Sequence, residues 1–372
     1  MYSNGIIKKI SIHNFRSHNN LIIDSNSSNV VLFGENGAGK TNILDAISMF
    51  SPGKGIRNSK HENMVNNDSS SKKFEIKILM KFNHGDLNFH KTFNGDSGKP
   101  QINYFIDDEK VSSNNLLDYL RVIWVTPVME KVMLQSHSEK RKFFDRIIFN
   151  INKDHLKNCR KLEKLLKERI NLLDQYNSDG EWITIIEDKI SDVSFDILEE
   201  RKKKIELLNK YLCKISEPFT SCVVQLSHKL QSVLFQLSKK EFKLKYSDIL
   251  RKNRAIDKEI SRTSLNINSV EFDIYKSKNL NLEAKDCSTG EQKSMLISII
   301  ISVCKIIKDL NPNLTLIVLI DEAMAHFDEK HREKLFDELL QLNSQVWYTG
   351  VSKELFKSIS EQTVFFEVKN NI

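Results

Sequence analysis

Apolar residues recur at every second position through much of the first 150 residues. Ile10 and Ile12 alternate with polar neighbours, Leu21–Ile23 is apolar, and Phe74, Ile76, Ile78 and Met80 alternate strictly. A period of two marks strands with one face buried. Leu87 and Phe89, then Tyr104 and Ile106, predict further short antiparallel strands, and 66–73 (NNDSSSKK) has loop composition. Val30–Phe33 and Arg121–Val125 are apolar runs of buried-strand type, the second ended by Pro127. Ser138 is placed to cap a helix running to about Asn150.

From about 151 the spacing changes to three and four. Leu162, Leu165, Leu166, Ile170 and Leu173 form one stripe, and Ile186, Ile190, Val193, Ile197, Ile205, Leu208 and Leu212 another, with Asn177-Ser178-Asp179-Gly180 as a turn between them. The pattern predicts an antiparallel helical hairpin, either an arm or a plain helical subdomain. Its 13 basic and 13 acidic residues over 151–210 make it neutral. From about 265 the α/β pattern returns. Leu314–Ile320 is continuously apolar, as in a strand buried on both faces, and Val346–Thr349 and Val364–Val368 predict two more strands. The expected fold class is α/β, a head split by an inserted helical domain, with boundaries at 1–150, 151–245 and 246–372.

Composition narrows the class only a little. No apolar run approaches the ~20 residues of a membrane span, and the N-terminus lacks the apolar core of a signal peptide, so a cytoplasmic protein without a membrane partner is expected. The five cysteines form no C-x-x-C pair, as expected of reduced thiols, and the ten histidines show no metal-ligand spacing. The net charge of +7 mildly favours a polyanionic partner. It concentrates in 239–262, where nine basic residues meet four acidic ones; a solvated helix face and a nucleic-acid contact both fit that run.

The chemistry is more specific. Gly34-Glu35-Asn36-Gly37-Ala38-Gly39-Lys40-Thr41 follows the apolar run Val30–Phe33 and matches the P-loop pattern G-x-x-x-x-G-K-[ST]. Its glycines let backbone N–H groups point into one anion-binding nest, and the helix starting near Gly39 adds its positive end. Lys40 is expected at the β- and γ-phosphates of ATP, and Thr41 on Mg2+. Leu316–Ile320 followed by Asp321-Glu322 has the form of a Walker B strand, about 280 residues downstream. There Asp321 would hold Mg2+ and Glu322 would polarise the attacking water. Cys287-Ser288-Thr289-Gly290-Glu291-Gln292-Lys293 precedes an apolar helix, Ser294–Ile307, and resembles the ABC signature motif. Ser288, Gly290 and Gln292 would then face the γ-phosphate held by a second subunit. An ordinary helix N-capped by Ser288 or Thr289 is the plain alternative. Ala325-His326-Phe327-Asp328 sits where the ABC D-loop belongs, which makes Asp328 a nucleotide-site candidate.

Several segments together resemble the bacterial RecF family. They are Asn14-Phe15-Arg16-Ser17, the P-loop with Asn42–Ile47, Ser51-Pro52-Gly53-Lys54-Gly55-Ile56-Arg57, Trp124–Pro127, Glu139–Arg146, the signature and Thr349-Gly350. The resemblance runs to about residue 355 and adds Arg16 and Asn42 to the nucleotide-binding candidates. It implies an ATP-dependent DNA-binding ATPase of recombinational gap repair. Such a protein dimerises on ATP, binds single-strand/double-strand junctions, and works with RecR and RecO to load RecA. Two departures stand out. Arg262–Glu271 replaces the family's Gly-Pro-His-Arg-x-Asp segment, and no glutamine occupies the Q-loop place near Thr126–Glu130, where Glu130 is the nearest candidate. Three rivals remain: a relative that binds ATP but barely hydrolyses it, a transporter nucleotide-binding subunit, and an overcoming-lysogenization-type nuclease. The inserted arm of about 90 residues opposes the transporter, and the nuclease would need an acidic metal domain absent through Ile372.

Overall fold

The computed structural model describes residues 4–96, 99–175, 180–230, 234–322 and 327–369, and its strand pairing follows the alternation. β1 (Ile6–Phe15) and β2 (His18–Asp24) make a hairpin with Ile12 opposite Leu21. β4 (Lys73–Phe82), β5 (Gly85–Asn94), β6 (Gln101–Ile106) and β7 (Glu109–Val111) extend it into one antiparallel sheet, ordered β2-β1-β4-β5-β6-β7. The second sheet is parallel. It comprises β3 (Asn29–Phe33), β8 (Leu120–Val125), β12 (Thr315–Ile320), β13 (Gln345–Gly350) and β14 (Thr363–Glu367), ordered β14-β3-β13-β12-β8. β8, β12 and β13 are buried at every position, as strands covered on both faces must be. Helix α1 (Lys40–Ser48) follows β3, and its Ile43, Leu44 and Ile47 share one core with Ile10, Ile76 and Phe89 of the first sheet and Val30, Leu32 and Leu319 of the second.

Two compact units share the chain: Met1–Glu130 with Ser216–Phe219 and Leu296–Ile372, and Lys131–Ile215 with Thr220–Met295. The division falls elsewhere than the expected boundaries near 150 and 246. In the second unit, α2 (His137–Ile151) packs on β10 (Glu271–Lys276), with the Phe144 and Phe272 rings stacked at 4.7 Å. β10 is the centre of a three-stranded antiparallel sheet with β9 (Cys222–Ser227) and β11 (Asn279–Glu283). α3 (Lys153–Gln175) and α4 (Glu181–Leu212) form the expected antiparallel hairpin, since Asn152 bonds Glu200 at 2.9 Å while Arg169 bonds Glu187 at 3.0 Å. Of the predicted turn between them, Asn177–Asp179 lies outside the described residues, and Gly180 is the N-cap of α4.

Buried ion pairs explain why 246–295 joins the helices. α5 (Lys239–Lys252) and α6 (Arg254–Glu259) are tied to the hairpin by Arg169, which donates to Asp257 at 2.8 Å and to the Leu250 carbonyl at 2.7 Å. Arg254 also donates to Glu187 at 2.6 Å. Removing one member of such a fully buried set strands its partner's charge, at a cost of about 3–5 kcal/mol. Two helix starts differ from expectation. α2 is capped by Ser136, whose side chain accepts from the Glu139 N–H, and not by Ser138. α7 (Thr289–Leu310) begins at Thr289, not at Ser294, because Ser288 and Glu291 supply the start signal. α8 (Glu329–Leu340) precedes β13. Among the described residues no helix is long and apolar enough to cross a membrane.

Candidate functional site

β3 ends at Phe33 and the chain turns through Gly34 at φ 146°, where a Cβ would come within 2.4 Å of the Val368 carbonyl oxygen. The turn closes at Gly39, φ 97°, the N-cap of α1. No side chain caps this helix and its first turn holds no acidic residue, so its positive end can face an anion, while the Asn42 and Ile43 N–H groups bond the Gly39 carbonyl. Glu35, Asn36, Gly37 and Ala38 form the loop between, with Ala38 N–H bonded to the Glu35 carbonyl at 3.3 Å. Lys40 is buried and turns its ammonium back onto the Gly34 and Glu35 carbonyls, each at 2.8 Å. A cavity of about 760 Å3 opens beside Gly34 and Glu35.

The P-loop and the end of β12 meet. Thr41 Oγ1 donates to Asp321 at 2.9 and 3.1 Å, and Thr349 Oγ1 at the end of β13 donates to Asp321 Oδ1 at 2.9 Å. Glu322 has φ 50°, and its N–H donates to Thr349 Oγ1 at 2.9 Å. Burial pushes the Asp321 carboxyl up from its ordinary pKa, against the opposing pull of the Thr41 and Thr349 hydroxyls. Hydroxyl and carboxylate oxygens so close together are the donor set a hard cation such as Mg2+ takes. Thr41, Asp321 and the uncapped nest therefore fit a metal–nucleotide ligand.

The remaining candidates take different places. Arg16, at φ 56°, grips Asp45 of α1 through Nε at 3.1 Å and Nη2 at 2.8 Å, so in this structure it braces the P-loop helix. Asn42 donates to Ser17 Oγ at 2.8 Å. Asp328 caps α8, accepting from the His331 N–H at 2.9 Å; of the expected D-loop, Ala325 and His326 lie outside the described residues. The signature residues belong to the second unit. Ser288 and Glu291 form a reciprocal cap, with Ser288 Oγ donating to Glu291 Oε2 at 2.9 Å and the Ser288 N–H donating to it at 3.1 Å. Gln292 is buried and donates to the Lys285 and Cys287 carbonyls at 3.1 and 3.0 Å. A Cβ built at Gly290 would meet nothing within 4 Å, so the chain's own packing does not require glycine there.

Three contributors escaped the sequence reading. Thr349 was seen only as half of a Thr-Gly pair, yet it links Asp321 to Glu322. Asp45 anchors Arg16 and accepts the Arg57 N–H at 3.3 Å. His18 lies 3.1 Å from the Gly39 carbonyl, and burial holds its imidazole below the ordinary pKa. None has a spacing signal, because Thr349 and His18 are brought in by strands and Asp45 by a turn of α1.

Residues 6–372 match the RecF/RecN/SMC N terminal domain family. The chain is 32% identical over 351 residues to the DNA replication and repair protein RecF of Rickettsia africae, covering 94% of this chain and 96% of that one. It is 31% identical over 352 residues to RecF of Rickettsia felis, covering 94% of each. Among solved structures it superposes on the recombination mediator protein RecF with ATP at a TM-score of 0.84 and 20% identity, covering 100% of this chain and 99% of that one. The Smc head domain of Pyrococcus furiosus matches at a TM-score of 0.56 and 15% identity, covering 98% and 94%.

Proposed function

The chain belongs to the RecF family, and from that premise we propose an ATP-gated DNA-binding protein of replication and recombinational gap repair. The observation that carries the reading is the hydrogen-bonded cluster Thr41–Asp321–Thr349, which joins the P-loop to the end of β12. In it Gly34–Thr41 and Asn42 cradle the ATP phosphates. Lys40 exchanges its two carbonyl partners for the β- and γ-phosphates, and Thr41 and Asp321 hold Mg2+. The bound ion would neutralise charge on the phosphates. Glu322 accepts the proton of the attacking water. Arg16 keeps α1 in register through Asp45.

Ser288 and Gly290 act on a second copy of the chain, and Asp328 lies at the same interface. The open space around Gly290 supports this, since a phosphate could approach its backbone closely. ATP then joins two copies, and slow hydrolysis releases them. DNA with a single-strand/double-strand junction, RecR and RecO are the proposed partners, assistance of RecA loading is the output, and the cytoplasm is the location. A second reading, ATP binding with little turnover, is favoured by the replaced segment 262–271. There Thr263 and Ser264 are engaged by Arg169 and Asp257 inside the chain.

Sedimentation velocity with and without ATP and a gapped duplex tests the proposal. A dimer that forms on ATP and then carries DNA is expected. A chain that stays monomeric with ATP and sediments independently of the duplex overturns it.

A further inference from the structure

A cavity of about 580 Å3 in the second unit is lined by the first turn of α2 and by β10 and β11. His137 is the first residue of α2, and Glu271 and Asp273 stand two apart on β10, hence on one face of the strand. His137 Nδ1 is 3.3 Å from Glu271 Oε2, and one ligand-type atom from each of the three side chains lies within 4.8 Å of the other two. Metal–ligand bonds of about 2.1 Å at tetrahedral or octahedral angles need donor separations of about 3–3.5 Å, which small side-chain rotations supply. Ser227 donates to Asp273 Oδ2 at 2.8 Å and orients that carboxylate from behind.

A separate observation in the same cavity points to an anion. Lys140, one turn along α2 from His137, lines the cavity and is 8% exposed, yet its ammonium has no hydrogen-bond or ion-pair partner among the described residues. The Lys140 stem is packed away while its ammonium is left at the cavity without a partner, and an anionic ligand would supply a charge-assisted one. The cluster Asp145, His155 and Cys159 meets the same distance test but offers no such place. Arg201 already grips Asp145 at 2.9 and 2.8 Å, and burial pushes the Cys159 thiol up to about 12.

We propose that His137, Glu271 and Asp273 bind a divalent transition metal, and that its open positions take a phosphate-type anion which also meets Lys140. One imidazole with two carboxylates suits Mn2+ or Zn2+. The site is separate from the nucleotide site and needs no nucleotide.

Titration of the nucleotide-free protein with MnCl2, read by electron paramagnetic resonance, tests this. One Mn2+ per chain is expected in the wild type and in Asp321→Asn, with affinity lowered at least about tenfold in His137→Ala and Asp273→Asn. Inorganic phosphate should tighten Mn2+ binding in the wild type and not in Lys140→Met. Equal Mn2+ affinity in wild type, His137→Ala and Asp273→Asn, or no binding by the wild type, overturns the metal site. Phosphate without effect on the wild type, or with the same effect on Lys140→Met, overturns the anion's place beside Lys140.

Discussion

The P-loop and the signature loop are both Gly-containing turns that open a helix, and the chain treats them in opposite ways. At the P-loop nothing caps α1, and its own Thr41 hydroxyl converges on Asp321 with that of Thr349. At the signature the cap is complete: Ser288 and Glu291 satisfy each other, and Gln292 is spent on two carbonyls. A loop whose partners lie in its own chain shows them as convergent contacts. On the proposed reading the signature's partner is a second copy, and such a loop would have to be stable alone, closed on itself and leaving only a surface. Gly290, with nothing near its Cβ position, would be that surface.

The largest effect expected is at the P-loop. Lys40→Ala should weaken binding of an ATP analogue by about a hundredfold or more, because the terminal phosphates lose their charge-assisted partner. Equilibrium binding within about threefold of wild type would break the first half of the comparison. Next is Glu322→Gln, which removes the proton acceptor and keeps the shape. Turnover should fall by about 10²–10⁴ while ATP stays bound, so the ATP-joined dimer accumulates. Unchanged steady-state hydrolysis would place the base on another residue.

The signature half is tested by separating its two roles. Ser288→Ala loses a cap worth about 1 kcal/mol, seen as a small drop in thermal stability. Ser288→Asp keeps a good cap but sets a negative charge toward the phosphate of a second copy, and Ser288→Arg sets a bulky cation there. Both should bind ATP as monomers and fail to dimerise in sedimentation. A loss of monomer affinity equal to the loss of dimer would mean that the motif acts within its own chain.

Periodicity made the strands and the long helices legible, and the P-loop and Walker B spacing found residues that do meet. What stayed hidden was set by register and packing. The alternation Leu87, Phe89 carries on inward to Lys91, so a lysine stands fully buried in β5, 3.2 Å from Met49 Sδ, with its pKa lowered by burial to about 7. A charged residue on an apolar face carries no pattern of its own to reveal that. The helix starts moved for a related reason. Ser136 outcompeted Ser138, and Ser288 moved the start of α7 five residues earlier, because side-chain–backbone bonds at the cap decide the first turn, not the first apolar residue. Residues 246–295 left the expected C-terminal half because Asp257 is held by Arg169 in the hairpin.

The smallest effect carries the comparison to the basic segment 239–262, where the same rule separates side chains already engaged from those still available. Lys239 pairs with Asp196 and Lys243 with Asp192, each at 2.8 Å, so α4 answers part of the local charge. Lys240 and Lys245 are exposed on the same helix. Each contact with a duplex phosphate lowers log K by about 0.9 per unit of log salt. Reversing Lys240 and Lys245 to Glu should therefore flatten the salt dependence of DNA binding by up to about two units, with equal loss for every sequence, since phosphate contacts carry no base information. Reversing Lys239 and Lys243 should add less, because those ammonium groups must first leave a carboxylate to reach a phosphate, at a cost of about 0–1 kcal/mol for each exposed pair. ATP binding without DNA should be unchanged in all four. If the paired lysines flatten the slope as much as the unpaired ones, engagement within the chain does not predict availability. If neither pair changes it, the segment is a solvated helix face and its charge serves solubility.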